Sequence, residues 1–150
     1  MERSLVILKP DAVQRGLVGR LVARFEEKGL KLIAMKMVRL TRQTAETHYG
    51  EHKGKDFYEP LVAYIISGAV VLLVVEGPSA VSVVRTMMGP TSGITAPPGT
   101  IRGDFAVATR YNLVHGSDSA QSAEREIALF FKPDELVEYD RAILDWSWQC

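Results

Sequence analysis

The chain has 150 residues, 47 % of them hydrophobic and 24 % charged, a composition typical of one globular domain over 1–150 and not of a disordered or fibrous protein. Its 18 basic and 18 acidic residues cancel, so it lacks the broad positive field on which non-specific nucleic-acid binding depends. The single cysteine, Cys150, allows no internal disulfide, and no apolar run approaches the ~20 residues of a membrane span. We therefore expect a cytoplasmic protein that is neither exported nor inserted into a membrane.

The first third of the chain predicts two strands with a helix between them. Residues 5–8 form an aliphatic run that ends at a Pro-Asp turn signal, which is typical of a strand buried on both faces and places Lys9 at its end. Over 17–25 the apolar residues recur at helical spacing, and this pattern predicts an amphipathic helix closed by Gly29. The aliphatic and methionine-rich run 30–40 indicates a second strand.

The middle of the chain predicts two short helices before a central strand. Thr41 is a good N-cap for a helix that ends at Gly50, and the apolar spacing within 61–65 indicates another helix closed by Gly68. The run 69–75 predicts the most central strand of the sheet, because strands buried on both faces are continuously apolar.

The last part of the chain alternates helix, loop, strand and helix. Apolar spacing over 81–88 predicts a helix, whereas the glycine- and proline-rich segment 89–103 predicts a long loop without regular structure. Residues 105–109 indicate a short strand, and Ser119 is a good N-cap for a last helix that runs through Phe131. This alternation predicts a layered α/β or α+β fold.

His115 is the residue most open to a chemical role. It follows the predicted strand and precedes the last helix, a position from which an imidazole can act as base, ligand or nucleophile. A core histidine bonded to a carbonyl is the alternative that the local pattern favours. Glu126 lies beside the apolar stripe of the last helix and could orient His115, although helix propensity explains this glutamate equally well. The stripe consists of Ala120, Ala123, Ile127 and Phe130.

Phosphate binding has one candidate in the sequence. Arg85, Thr91 and Arg102 flank or occupy the loop 89–103 and could form a phosphate clamp, since guanidinium groups match phosphate oxygens. The standard phosphate motifs are excluded. The Walker-like run 50–56 has three residues between its glycines where four are required, and no G-x-G-x-x-G follows a predicted strand.

Two aromatic residues, Tyr49 and Phe57, bracket the polar segment 51–56. An exposed ring at either position could stack on a nucleobase. Burial of both rings by packing is the interpretation that the pattern favours.

Three segments resemble the nucleoside diphosphate kinase family, and the match extends over nearly the entire chain. They read KPDAVQRG at 9–16, PGTIRGDF at 98–105 and NLVHGSDS at 112–119, and the last is similar to the active-site signature of the family. The resemblance implies a ferredoxin-like α/β sandwich with a four-stranded antiparallel sheet covered by helices. It also implies transfer of the terminal phosphate of a nucleoside triphosphate, typically ATP, to a nucleoside diphosphate by a ping-pong mechanism through a phosphohistidine.

The same resemblance implies roles for individual residues. The implied catalytic set is His115 as nucleophile, Glu126 and Ser117 as its support, and Lys9 positioned by Tyr49. The implied nucleotide-binding residues are Lys9 and Asn112 at the ribose, Phe57, Leu61 and Thr109 at the base, and His52, Arg85, Thr91 and Arg102 at the phosphates.

The implied cofactor is Mg²⁺, held mainly by the nucleotide phosphates without a metal-binding residue of the protein. Broad use of bases and sugars is expected, because a stacked aromatic ring distinguishes bases weakly. The resemblance also implies a homo-oligomer, with a hexamer favoured and a tetramer as the other form, and the two tryptophans within 145–150 could pack against a neighbouring subunit. Neither a membrane nor a nucleic acid is an expected partner.

Three features depart from the usual family pattern. Ser92-Gly93 replaces Asn-Pro in the long loop, which bears on the rigidity of that loop and on subunit contacts, and Arg110-Tyr111 replaces Gly-Arg. Thr109 stands where the family often has an aliphatic residue, so a more polar base site is expected. Two other functions stay open on the same scaffold, a binding module for nucleotides or single-stranded nucleic acid and an inactive interaction subunit.

Overall fold

The computed structural model describes residues 1–142 and 144–148, and its centre is a four-stranded antiparallel sheet. The strands are β1 (Glu2–Leu8), β2 (Lys31–Val38), β3 (Val70–Gly77) and β4 (Val114–Gly116), and their order in the sheet is β2-β3-β1-β4. β1 and β3 are therefore the central strands, and β2 and the short β4 are the edges. This is the ferredoxin-like arrangement that the sequence resemblance implied, and the predicted fold class is confirmed.

Helices cover both faces of this sheet. They are α1 (Pro10–Gln14), α2 (Val18–Glu27), α3 (Arg42–His48), α4 (Tyr58–Ile65), α5 (Ala80–Met88), α6 (Ile101–Phe105), α7 (Ala120–Phe130) and α8 (Leu144–Ser147), with 3₁₀ turns at Gly50–His52 and Pro133–Glu135. The α2, α5 and α6 helices pack on one face, and α3, α4 and α7 pack on the other. Within the described residues, no helix is long and apolar enough to cross a bilayer.

β1 shows why the core has two layers. Side chains alternate between the two faces of a strand. Val6 and Leu8 therefore enter the cluster beneath α2 and α5, whereas Leu5 and Ile7 enter the cluster beneath α4 and α7. All four side chains are fully buried, as the aliphatic run predicts. Each contributes about 1.5–3 kcal/mol relative to an exposed position, so the strand is fixed on both sides.

The helix signals in the sequence are confirmed at three positions. The Thr41 hydroxyl accepts the N–H of Thr44 at 3.1 Å, and the Ser119 hydroxyl accepts the N–H of Ser122 at 3.0 Å, so both residues cap their helices as predicted. Gly29 follows α2 with a φ of +96°, a conformation that favours glycine.

Two predictions for the segment between α5 and β4 are wrong. The run 89–103, predicted as loop throughout, ends inside α6, because the Thr100 hydroxyl accepts the N–H of Gly103 at 2.9 Å and caps a helical turn. Residues 105–109, predicted as a strand, contain the end of α6 and irregular chain, and the fourth strand is β4 instead. A third expectation fails at Ala120, which is exposed at the start of α7 and does not belong to the buried stripe.

Gly93 holds the long loop by direct backbone packing. Its N–H donates to the carbonyl of Ala108 at 3.0 Å, and a Cβ at this position would lie 2.4 Å from the carbonyl oxygen of Ala106. The proline usual in the family has no N–H to donate. The departure from the family pattern therefore supplies a different anchor for the loop.

Candidate active site

His115 lies within β4, where it pairs with Ile7 of β1. The prediction that His115 follows a strand is therefore wrong, because the residue is itself part of the short edge strand. Because β1 is a central and fully buried strand at this point, the backbone of His115 is anchored to the buried centre of the sheet. The side chain is 21 % exposed, so the ring is held in place yet reachable.

A strained turn leads into β4. Leu113 has a φ of +72°, and the N–H of Val114 donates to the carbonyl of Asn112 at 2.8 Å, which closes a γ-turn. The N–H of Lys9 donates to the Leu113 carbonyl at 2.8 Å, and the N–H of Leu113 donates to the Asp11 carboxylate at 3.1 Å. Strain of this kind costs about 1–3 kcal/mol and persists where the surroundings fix it, as these bonds do.

Arg102 supports the same turn from the other side. Its guanidinium donates to three backbone carbonyls, those of Asn112 at 3.2 Å, Gly89 at 3.0 Å and Val114 at 2.7 Å. Burial, followed by repulsion from Arg85, lowers the pKa of Arg102 to about 10, so the group is cationic at neutral pH. Its remaining N–H donors are available to an anion.

His115, Glu126 and Ser117 form a hydrogen-bonded chain. The Nε2 atom of His115 lies 3.0 Å from Oε2 of Glu126, and the Ser117 hydroxyl donates to Oε1 of the same carboxylate at 2.6 Å. Glu126 reaches them from α7 and is buried. Burial opposes its ionisation, but the hydrogen bonds from His115 and Ser117 outweigh this effect and hold the pKa of the carboxyl below its ordinary value. Glu126 is therefore an anion, and its carboxylate accepts a hydrogen bond from a protonated Nε2 of His115.

A second chain of hydrogen bonds links the sheet to the long loop. The ammonium of Lys9 donates to Oδ1 of Asn112 at 2.8 Å, and the Asn112 amide donates to the Thr91 carbonyl at 2.9 Å. Burial, followed by repulsion from Arg102, lowers the pKa of Lys9 to about 8, which leaves it mostly protonated at neutral pH. Lys9, Thr91 and Asn112 come from three different segments of the chain, and these bonds hold them in the same cavity wall as His115.

A cavity of about 620 Å³ brings most of the predicted residues together. Its wall consists of Lys9, Tyr49, His52, Phe57, Leu61, Thr91, Arg102, Thr109, Arg110, Asn112 and His115. The volume lies within the range of small-molecule sites. Three predicted residues are not in the wall: Ser117 and Glu126 are buried next to His115, and the exposed Arg85 donates to the Gly116 carbonyl at 3.4 Å.

The two aromatic candidates differ in exposure. Phe57 is 49 % exposed in the cavity wall, so its ring is open to stacking, contrary to the burial that the pattern favours. Tyr49 is buried as that interpretation expects, and within the described residues its hydroxyl makes no hydrogen bond to Lys9. The positioning of Lys9 by Tyr49 stays a prediction.

Three residues near the site have no role that the sequence predicts. Asp11 holds the strained turn, Arg110 lines the cavity, and His48 packs edge-on against His115 with ring centroids 4.7 Å apart. Burial, followed by the proximity of His115, lowers the pKa of His48 to about 3, so its imidazole is neutral. The departure from the family pattern at Arg110-Tyr111 is a sequence signal that could have identified Arg110. No local signal identifies His48, because its position beside His115 depends on tertiary packing.

Comparison with known proteins identifies the family. A model described as nucleoside diphosphate kinase matches residues 2–136. A relative of that name from Archaeoglobus fulgidus is 56 % identical and covers 99 % of each chain, and one from Pelotomaculum thermopropionicum is 54 % identical over 99 % of this chain and 100 % of its own. A solved structure of a halophilic nucleoside diphosphate kinase from Halobacterium salinarum, in complex with CDP, has a TM-score of 0.97 at 48 % identity, covering 99 % of both chains.

The fold and the cation-lined cavity, which contains an imidazole bonded to a carboxylate, fit an enzyme that binds an anionic substrate beside a nucleophile, as a phosphotransferase does. The matches to the family model and to the relatives named above identify the family within this class. The chain belongs to the nucleoside diphosphate kinase family, whose reaction moves the terminal phosphate of a nucleoside triphosphate to a nucleoside diphosphate by a ping-pong mechanism through a phosphohistidine.

Proposed function

We propose that Nδ1 of His115 is the atom that carries the phosphoryl group between two nucleotides. The observation that supports this choice is the 3.0 Å contact between His115 Nε2 and the ionised Glu126. A neutral imidazole has one proton, and the carboxylate keeps it on Nε2. Nδ1 therefore has the free lone pair, on a ring that lines the cavity.

The proposed reaction has two balanced halves. In the first, Nδ1 attacks the terminal phosphorus of a nucleoside triphosphate, a P–N bond forms, the bond to the bridging oxygen breaks, and a nucleoside diphosphate leaves. In the second, a terminal oxygen of another nucleoside diphosphate attacks the same phosphorus, and the P–N bond electrons return to Nδ1. The Nε2 proton stays between His115 and Glu126 throughout, so neither half requires proton exchange with solvent.

Glu126 and Ser117 are proposed to act through His115. Formation of the P–N bond places positive charge on the imidazole, which the carboxylate at 3.0 Å stabilises. The Ser117 hydroxyl fixes the second carboxylate oxygen at 2.6 Å, so the carboxylate cannot rotate away from the ring. The pair thus orients the nucleophile before substrate binds.

The nucleotide is proposed to lie along the cavity with its phosphates towards His115. The phosphate contacts are assigned to His52, Arg85, Thr91 and Arg102, the ribose contacts to Lys9 and Asn112, and the base contacts to Phe57, Leu61 and Thr109. The buried cation of Arg102 supports the first assignment, because a charge in a desolvated wall interacts strongly with phosphate oxygens. Stacking on the exposed Phe57 ring supports low base selectivity.

Mg²⁺ is proposed as the cofactor, bound to the substrate phosphates. Among residues 1–142 and 144–148, the cavity wall contains cations, hydroxyls and an amide but no carboxylate that could hold a divalent ion by itself. Such a wall fits an ion that arrives with the nucleotide. When bound, Mg²⁺ neutralises phosphate charge and orients the chain of phosphates.

A homo-oligomer is proposed because the edge strand β2 presents apolar side chains, and the family resemblance favours a hexamer over a tetramer. Met35 and Met37 are 55 % and 60 % exposed on this strand, and an exposed apolar edge is a surface that a second copy can cover. Of the two tryptophans, Trp148 donates its indole N–H to the Gly29 carbonyl of its own chain at 2.8 Å, and Trp146 is 90 % exposed and open to a neighbouring subunit. Cys150 lies outside the described residues. Sedimentation of the purified protein measures the number of chains in the oligomer. The proposed cellular compartment is the cytoplasm.

Labelling with [γ-³²P]ATP tests the proposed role of His115. The wild-type chain should gain acid-labile, alkali-stable label, and addition of a nucleoside diphosphate should remove it as nucleoside triphosphate. His115→Asn should not label, whereas the matched variant His52→Gln keeps the proposed nucleophile and should still label, at a lower rate because it loses a proposed phosphate contact. Full labelling of His115→Asn would refute the assignment, and absence of label in the folded wild type would favour the inactive subunit or binding module.

A further inference from the structure

His48 is a buried histidine that the proposed reaction does not use. It ends α3, it is 6 % exposed, and neither ring nitrogen has a hydrogen-bond partner among the described residues. Buried polar groups without partners are uncommon in native proteins and often mark the position of a water or an ion. The two nitrogens of His48 therefore point to a ligand.

The geometry around His48 defines a set of donor atoms. Its Nδ1 lies 3.6 Å from Oε2 of Glu126, the same oxygen that Nε2 of His115 approaches at 3.0 Å. One donor atom from each of the three residues lies within 4.8 Å of the other two. Two imidazole nitrogens and a carboxylate oxygen form a three-ligand set that suits Zn²⁺ and similar divalent transition metals.

Two cavities give access to this group. A cavity of about 290 Å³ borders His48 and Glu126, and the larger nucleotide cavity borders His115. A small ion can therefore approach from solvent. Arg125 lines the smaller cavity and opposes a cation by like charge, so the attraction has to come from the Glu126 carboxylate and the imidazole lone pairs.

We propose that His48, Glu126 and His115 form a binding site for a divalent transition metal, and that occupation of this site blocks phosphorylation of His115. Such a site is distinct from that of the Mg²⁺ proposed to accompany the nucleotide, which takes oxygen ligands. The metal would satisfy a nitrogen of His48 that is otherwise unpaired. It would also replace the hydrogen bond between His115 and Glu126.

The block follows from the proton count of one imidazole. Without metal, the single proton of neutral His115 is on Nε2, and the lone pair of Nδ1 is free. When a metal takes the Nε2 lone pair, the proton occupies Nδ1, and that nitrogen has no lone pair for attack on phosphorus. No proton is gained or lost in this exchange. The block, unlike metal binding itself, rests on the proposed role of His115.

Zinc binding is measured on the full chain, free of nucleotide, by calorimetric titration with ZnCl₂. Cys150→Ser is the background, because a thiolate is a strong competing ligand for zinc. We expect one zinc per chain, bound at least tenfold more weakly after His48→Phe, since loss of even an outer-shell partner costs about 10–100-fold in affinity. His52→Gln removes the histidine outside the group and should keep the affinity. X-ray absorption of bound zinc should show two imidazole ligands.

Equal zinc affinity with and without His48→Phe, in folded protein by circular dichroism, would overturn the site. His48→Gln provides a second substitution should phenylalanine unfold the chain, with the same expectation. In a separate labelling experiment, protein preloaded with zinc and freed of excess metal should gain phosphate label only on its zinc-free fraction, so label per chain should fall linearly as zinc per chain rises. Full labelling of zinc-saturated protein would overturn the block, whereas failure to label without zinc would count against the proposed function and leave the binding result standing.

Discussion

Replacement of Glu126 by glutamine tests the contact that orients the proposed nucleophile. The substitution keeps the shape of the side chain and removes its charge. An amide has one oxygen, so glutamine can accept from Ser117 or from His115 but cannot offer each a separate oxygen as the carboxylate does. If the amide nitrogen faces His115, Nε2 must accept, and the single imidazole proton shifts to Nδ1.

The magnitude follows from the loss of one charge-assisted hydrogen bond. Such a bond contributes about 1.5–3 kcal/mol. Because roughly 1.4 kcal/mol corresponds to a factor of ten in rate, the phosphorylation step of Glu126→Gln should be about 10- to 150-fold slower than that of the wild type. Glu126 is not part of the cavity wall, so the dissociation constant for the nucleotide should change little.

Rapid-quench measurement of phosphohistidine formation, with excess enzyme over labelled ATP, separates these two quantities. Glu124→Gln is the matched control, because Glu124 is on the same helix and exposed. The reasoning is refuted if Glu126→Gln forms phosphoenzyme as fast as the wild type, or if Glu124→Gln loses as much. Circular dichroism of both variants checks that the fold is retained.

Three further predictions concern charge and packing. Burial, then repulsion from Arg102, lowers the pKa of Lys9 to about 8. The Michaelis constant for the nucleotide should therefore rise between about pH 7 and 9 as the ammonium is lost, and Lys9→Arg should remove this rise. Gly93→Ala places a Cβ 2.4 Å from a backbone oxygen and should lower the free energy of unfolding by about 1–3 kcal/mol, measured by denaturant titration. Gly19→Ala is the control, because a Cβ at this position of α2 meets open space, and it should raise the free energy of unfolding by about 0.5–1 kcal/mol. Burial, then the proximity of His115, lowers the pKa of His48 to about 3. The unfolded chain therefore binds a proton at His48 that the folded chain does not as pH falls from about 6 to 4. This group should contribute a drop in stability of about 1.4 kcal/mol per pH unit, a contribution that His48→Phe should remove.

The parts of the fold that the sequence predicts are those with a local physical cause. Continuous apolar runs identify β1 and β3, because both faces of these strands are buried. Hydroxyl caps mark the starts of α3 and α7 because the capping bond spans three residues. The inward position of Glu126 follows from helical spacing. In each case the pattern that carries the prediction lies within one short segment of the sequence.

The parts that escape prediction are set by distant contacts. β4 has three residues, too few for a periodic signal, and its place is fixed by pairing with β1 more than 100 residues earlier, as in Ile7 with His115. Gly103 is predicted as part of a loop, but it lies within α6. Its lack of a Cβ allows it to pack closely against the carbonyl of Pro97. The grouping of the cavity residues came from family resemblance, because local patterns carry no information on which segments converge.

Arg102 shows why removal of one charge cannot always isolate a catalytic effect. Three of its N–H donors hold the carbonyls of Gly89, Asn112 and Val114, so the same guanidinium supports the long loop, the strained turn and the strand of His115. A variant without this group loses a cation and also the support for the turn, and its rate would combine both losses. Among the described residues, the hydrogen bonds of the Glu126 carboxylate go to His115 and Ser117 of the proposed catalytic set, with His48 next at 3.6 Å. The neutral isostere of Glu126 is therefore the sharper probe of how the nucleophile is held, and the effect of Arg102→Lys is interpretable only beside a measurement of His115 geometry.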